Sequence, residues 1–185
     1  MENLTLLIPA KFESESLPSV LRELKKFNYK ICIILKDTDS ITIDSIKDFD
    51  VEVIQQKGIG YGDALIEGIN YCKTKYFCIF NADGSFNPNE IDGIMKQIEK
   101  NNTDFIFASR YEKNAGSDDD TFVTFVGNYF FSSIGKIFFK LKISDILYTF
   151  VIGNTSKAKS LNLLSKDFRF CVELPIKAKR KNFKI

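Results

Sequence analysis

Histidine is absent from this 185-residue chain, and so is tryptophan. Without imidazole there is no Ser-His triad, the commonest general base is missing, and most zinc sites are excluded. Any chemistry must run on carboxylates, Arg, Lys, backbone amides and a borrowed metal. Cysteine is scarce: Cys32, Cys72, Cys78 and Cys171 include no CxxC pair. Three of them sit in apolar runs, where a free thiol behaves as a small hydrophobe. That pattern points to a reducing, cytoplasmic compartment and away from a disulfide framework. No run approaches the roughly 20 apolar residues that span a bilayer. Met1-Glu2-Asn3 lacks the basic start of a signal peptide, and residues 4–8 form only a short apolar run. Charge of one sign is also missing, because a formal net charge of +2 is too small to argue for nucleic acid.

What is present reads as one ordinary globular domain over residues 1–185, with 44% apolar and 27% charged residues. Eighteen Phe make aromatics plentiful, so any membrane contact would lean on Phe and Tyr. Residues 4–8 read as a buried strand ending at Pro9-Ala10. Ser16 then caps a helix with Pro18 in its first turn, running to about residue 27. Strands follow over 31–35 and 51–54, with a polar loop over 36–40 between them. Residues 61–72 place Leu65, Ile69 and Cys72 on one helical face. A strand over 76–80, a helix over 88–100 and a strand over 105–108 complete the pattern. Strand and helix alternate, which predicts an α/β fold: a mostly parallel sheet with helices on both faces.

From Val123 the texture changes to "VGNYFFSSIGKIFFKLKI". As a helix, it lines Phe131, Ile134, Phe138 and Leu141 along one side, with Lys136, Lys140 and Lys142 elsewhere. Two readings stand: a core-facing helix, or a helix over about 123–143 lying in a membrane interface.

Polar groups gather at the ends of four strands, where open α/β sheets bind ligands. They are Pro9, Ala10 and Glu13 after the first, Asp37 after the second, Asn81 and Asp83 after the fourth, and Ser109 and Arg110 after the fifth. Asn81 and Asp83, spaced i, i+2 in "FNADGSFNP", point the same way in extended backbone. Two such oxygens suit Mg²⁺ or Mn²⁺ shared with phosphates, and Gly84 would let a diphosphate approach. The same residues also suit a plain Asx turn. "KGIGYGDALIEG" puts Gly58, Gly60 and Gly62 before a helix, a pattern that can cradle phosphate.

"LIPAKFESESLP", "GYGDALIEGI", "FNADGSFNPNEI" and "ASRY" occur in the order and approximate spacing of inverting family 2 glycosyltransferases with the GT-A fold. Within that family the chain most resembles dolichyl- and polyprenyl-phosphate mannosyl- and glucosyltransferases. The resemblance implies that residues 1–110 bind a UDP- or GDP-sugar and residues 111–185 form the acceptor side. It implies that Pro9, Ala10 and Glu13 line the nucleotide pocket, with Asp37 near the base and Gly62 and Ala64 close to the nucleotide sugar. Asn81 and Asp83 would hold the metal, with Ser109 beside Arg110, and Arg110 would meet the acceptor's phosphate. The chain departs from the family in having Asn81 where Asp is usual, Phe12 where Asn is usual, and "KDTD" for a DDGS motif.

A phosphate acceptor is already anionic at neutral pH and needs no general base, which fits a chain without His. The implied activity is metal-dependent, inverting transfer of a sugar to polyprenyl phosphate at the membrane surface. A transferase for a soluble saccharide is the alternative, with Asp118–Asp120 as base, and a catalytically weak nucleotide-sugar-binding paralogue is another. Glu173 and the basic run 177–181 read as a polar side chain and a solvated face.

Overall fold

The computed structural model describes residues 3–111 and 122–185, in 122–126 and 129 without their side chains. The acidic run 118–120 therefore lies outside the described residues. Six strands form one sheet: β1 (Leu4–Pro9), β2 (Lys30–Leu35), β3 (Glu52–Gln55), β4 (Tyr76–Ile79), β5 (Phe105–Phe107) and β6 (Val151–Asn154). Their spatial order is β3-β2-β1-β4-β6-β5. The pairs β1–β2, β1–β4 and β2–β3 are parallel, whereas β6 runs antiparallel between β4 and β5. The expected fold class is therefore observed.

Side-chain alternation along β1 splits the core in two. Leu4, Leu6 and Ile8 face one layer, built with α1 (Leu17–Leu24), α2 (Ser40–Ile46) and α4 (Glu90–Asn101). Leu7 faces the other, built with α3 (Tyr61–Tyr71), α6 (Thr155–Ser160) and α7 (Phe170–Arg180). A strand buried on both faces reads as a continuous apolar run, which is why β1 and β2 were legible. Each fully buried Leu or Ile adds about 1.5–3 kcal/mol, so burial outweighs local propensity here.

Three local expectations are corrected. Ser16 makes no side-chain cap to α1; its hydroxyl donates to Glu13 at 2.5 Å instead. Residues 40–46, unassigned in the sequence, form α2, capped by Asp39. Strand β6 also escaped notice because Gly153 interrupts it. A Cβ at Gly153 would stand 2.5 Å from the Phe105 ring, so the missing side chain is the space that Phe105 fills. The longest helix, α5 (Phe122–Phe139), ends before Lys140, whose φ is +53°. Among the described residues no helix is long and apolar enough to cross a membrane.

Candidate active site

The chain reverses direction of winding between β1 and β4, and the crevice at such a point is where open α/β sheets take ligands. The β1 end is pinned to β2 by the Ala10 amide, which donates to Ile34 at 2.9 Å. The next turn is held from the β2 side. The Phe12 amide donates to Asp39 Oδ2 at 2.7 Å, and the Glu13 amide to Thr42 Oγ1 at 3.1 Å. Asp39 is buried while Asp37 is exposed. Asp39, overlooked in the sequence, is thus the carboxylate that shapes the turn, and Asp37 presents its charge to solvent. The Glu13 carboxylate is occupied by Ser16.

Phe12 has φ +60° and a largely exposed ring. The left-handed region costs a bulky residue about 1–2 kcal/mol, but Asn tolerates it. Phe12→Asn is expected to stabilise the chain by about 0.5–1 kcal/mol, read as a higher midpoint in urea with an unchanged slope. An unchanged or lower midpoint would mean that the ring contributes more than the strain removes.

The glycine-rich loop meets a packing demand. A Cβ at Gly62 would stand 2.2 Å from the Ser165 carbonyl oxygen and 2.8 Å from Phe170 Cβ. One at Gly60, where φ is +107°, would stand 2.2 Å from the Lys166 carbonyl. The Asp63 amide donates to that same carbonyl at 2.9 Å. The glycines therefore let residues 165–170 lie directly on the loop, and Ala64 is buried in the α3 core. Glu173 holds the covering segment from behind, accepting from the amides of Leu164 and Ser165 and pairing with Lys177 at 2.7 Å. Burial pushes the Glu173 carboxyl up, but the bonds from Lys177, Ser165 and Leu164 outweigh it and hold the group below its ordinary value.

Tyr61 opens α3 and reaches the β4 end. Its hydroxyl donates to Thr149 Oγ1 at 2.8 Å and stands 3.4 Å from Asn81 Oδ1, while its ring stacks on Phe168. Burial raises the Tyr61 phenol well above its ordinary value, so it stays a neutral donor.

Asn81 and Asp83 share one turn. Asn81 Nδ2 donates to Ser85 Oγ at 3.1 Å, and Asp83 Oδ1 accepts from the Ser85 amide at 2.9 Å. Gly84, at φ +82°, supplies the conformation that closes the turn. An Asx turn is therefore present, and it does not compete with cation binding. It orients the exposed Asp83 carboxylate and, among the described residues, leaves Asn81 Oδ1 with only the long contact to Tyr61. Among the described residues no three His, Cys, Asp or Glu side chains cluster as a self-sufficient metal site. The pair fits a hard divalent cation whose remaining ligands are phosphate oxygens and water.

Arg110 is not presented alone. Its Nε and Nη2 donate to the two oxygens of Asp145 at 2.8 and 2.9 Å, and its amide donates to Oδ2 at 3.1 Å. Asp145 is wholly buried. The guanidinium also lies 5.1 Å from the Tyr148 ring centroid. Tyr148 packs on Phe86, which stacks on Phe150, so one aromatic cluster ties the Asn81–Asp83 turn to the Arg110 loop. Burial, then the nearby Glu90 charge, pushes the Tyr148 phenol up to about 12. Ser109 Oγ accepts from Ser144 Oγ at 2.8 Å and from the Tyr111 amide. Asp39, Tyr61, Asp145, Tyr148 and Thr149 were not singled out in the sequence. Tyr61 and Asp39 lay within motifs, Asp39 as the last residue of "KDTD"; the rest act through partners distant in the chain.

A mostly parallel sheet with polar strand ends at its reversal point and an Asn-x-Asp turn beside them has the architecture of the GT-A fold. The family model described as Glycosyl transferase family 2 matches residues 5–161, and the chain belongs to that family. Uncharacterized glycosyltransferases of Mycobacterium bovis and Mycobacterium tuberculosis are 24% identical to it over 96 residues. That match spans 52% of this chain and 44% of theirs. Among solved structures, glucosyl-3-phosphoglycerate synthase of M. tuberculosis, in complex with Mn²⁺, UDP and glucosyl-3-phosphoglycerate, superposes with a TM-score of 0.75 at 10% identity. It covers 97% of this chain and 66% of that one. Mannosyl-3-phosphoglycerate synthase of Rubrobacter xylanophilus gives 0.64 at 14% identity, covering 84% and 54%. At such identities the likeness is one of fold.

Proposed function

We propose that the chain transfers a glycosyl group from a UDP- or GDP-sugar to polyprenyl phosphate at a membrane surface, with Mg²⁺ or Mn²⁺ on the donor diphosphate. The observation that carries the acceptor is the outer face of α5. Phe130, Phe131, Ile137 and Phe138 are 60%, 44%, 72% and 73% exposed. Their i, i+7 spacing puts them on one side of the helix, while Leu141 beyond its end is buried. Large apolar side chains beside lysines make an interfacial surface rather than a core face. The Mn²⁺ and UDP bound by the structural neighbour support the donor and the cation.

In the transfer, an oxygen of the acceptor phosphate forms the bond to the anomeric carbon as the bond from that carbon to the diphosphate oxygen breaks, with inversion. The acceptor oxygen carries no proton to remove. Asp83 and Asn81 would hold the cation, which neutralises charge on the leaving diphosphate. The Asp145-fixed Arg110 loop and Ser109 shape the acceptor side, where orientation lowers the barrier. The phosphoglycerate-containing names of the neighbours favour a second reading, a water-soluble phosphate ester as acceptor.

Vesicle co-sedimentation tests the choice. Replacing Phe131 and Phe138 together by Ser should weaken binding to anionic vesicles by about 10²- to 10⁴-fold, since each buried Phe is worth about 1.5–3 kcal/mol. The shift in melting temperature given by the nucleotide sugar should persist. Failure of the unaltered chain to bind vesicles, with transfer to soluble esters only, would overturn the lipid acceptor.

A further inference from the structure

A cavity of about 690 Å³ lies between the end of α5 and residues 140–144, within the size range of small-molecule sites. Lys136, Lys140 and Lys142 line it, with Ser133, Ser144 and Asn128. No described lining residue is acidic. Three lysines on one cavity, with no carboxylate among its described lining residues, make a place where an anion offsets their mutual repulsion.

Asn128 gives the second, independent observation. It is 1% exposed, and its Oδ1 accepts from the Leu147 amide at 3.1 Å. That bond fixes which way the amide points. Its Nδ2 is buried without a hydrogen-bond partner, and Asn128 is among the residues that line the cavity. Buried polar groups are nearly always satisfied, so a buried amide donor left over at a basic cavity marks the place of a missing acceptor atom.

The cavity also lies next to the strand ends. Ser144, on its rim, donates to Ser109 at the end of β5. Leu141 and Ile143 add an apolar wall. Arg110, nearby, has two of its N–H groups and its amide committed to Asp145.

We infer that this cavity is an anion subsite for a phosphate monoester. Lys136, Lys140 and Lys142 bind the phosphate oxygens, Asn128 Nδ2 donates to one of them, and the organic part lies against Leu141 and Ile143. The assignment rests on the transferase reading only in treating this phosphate as the acceptor's. It moves the task of gripping the acceptor from Arg110 to the lysines, and leaves Arg110 as a positioning residue. A lipid phosphate and a free phosphate ester present the same group to these donors.

Calorimetry on the full chain can test this with two probes: glycerol phosphate in solution, and farnesyl phosphate carried in neutral vesicles. UDP with Mn²⁺ is titrated in parallel. Lys136→Gln with Lys140→Gln, both exposed positions, should weaken the bound probe about tenfold per lysine, the weight of one charge-assisted hydrogen bond. Asn128→Asp keeps the acceptor for Leu147 and puts a negative charge where the donor was, so it should weaken the probe at least as much. UDP affinity should not change in either variant. Binding of glycerol phosphate alone would make the source a soluble ester, and binding of farnesyl phosphate alone a lipid; either supports the subsite. If the unaltered chain binds UDP but neither probe, or the lysine variant binds both probes as tightly as the parent, the subsite is wrong. If the probes bind and weaken as expected while UDP does not bind at all, the subsite stands and the transferase reading falls.

Discussion

Asp145→Ala is expected to cost about 3–5 kcal/mol of stability, the range for removing one partner of a buried ion pair. Asp145 has no exposed side-chain surface, and the Arg110 side chain is only 14% exposed. The carboxylate accepts three hydrogen bonds from Arg110, one of them from its backbone amide. Removing it leaves a guanidinium and an amide with little water to replace the lost acceptor. At roughly 2–4 °C per kcal/mol for a chain of this size, the midpoint should fall by about 10 °C. Arg110→Ala should also destabilise, because it leaves the buried carboxylate unpaired. The double variant should then cost less than the sum of the two, and the difference in the cycle measures the coupling. Urea unfolding of the four proteins provides the check. A loss below about 1 kcal/mol for Asp145→Ala, as at a solvent-screened pair, would return Arg110 to the role of direct acceptor ligand.

The second large effect is on ligand binding. Asp83→Ala should remove the cation dependence of UDP-sugar binding, at least the roughly 10–100-fold that losing even an outer-shell partner costs a metal site. Asp83 is the charged oxygen ligand of the turn, and its exposure leaves room for diphosphate and water around the ion. Asn81→Asp should preserve or strengthen binding. The amide contributes a neutral oxygen with one long contact to Tyr61, and a carboxylate there adds charge toward the cation. Its bond to Ser85 survives the change, because the Ser85 hydroxyl can donate in place of the lost amide N–H. Calorimetry against Mn²⁺ concentration for both variants decides the matter. Unchanged metal dependence in Asp83→Ala would reduce "NADGS" to a turn and remove the basis of the proposed mechanism.

The strands and the larger helices were legible because burial leaves a local signature. Continuous apolar runs mark β1, β2 and β4, and the i, i+4 spacing of Leu65 and Ile69, or of Ile91 and Met95, marks α3 and α4. Strand β6 and helix α2 lack that signature. One is broken by the glycine that Phe105 requires, and the other is a short polar helix held by Asp39. The strand-end residues were also readable as a set, since turn chemistry and spacing are local properties.

By itself, then, the order of side chains determined the layered sheet, its reversal point between β1 and β4, and the Asn-x-Asp turn at the β4 end. Each follows from neighbours within a few residues of one another. The tertiary structure alone decided what Arg110, Gly62 and Asn128 are for. Arg110 is claimed by Asp145, 35 residues away, Gly62 makes room for the carbonyl oxygen of Ser165, and Asn128, buried with an unpaired donor, shares a cavity lining with Lys140 and Lys142. A side chain's type states which bonds it can make; which partner it meets depends on chain segments far apart in sequence packing at one place, and no local pattern encodes that meeting.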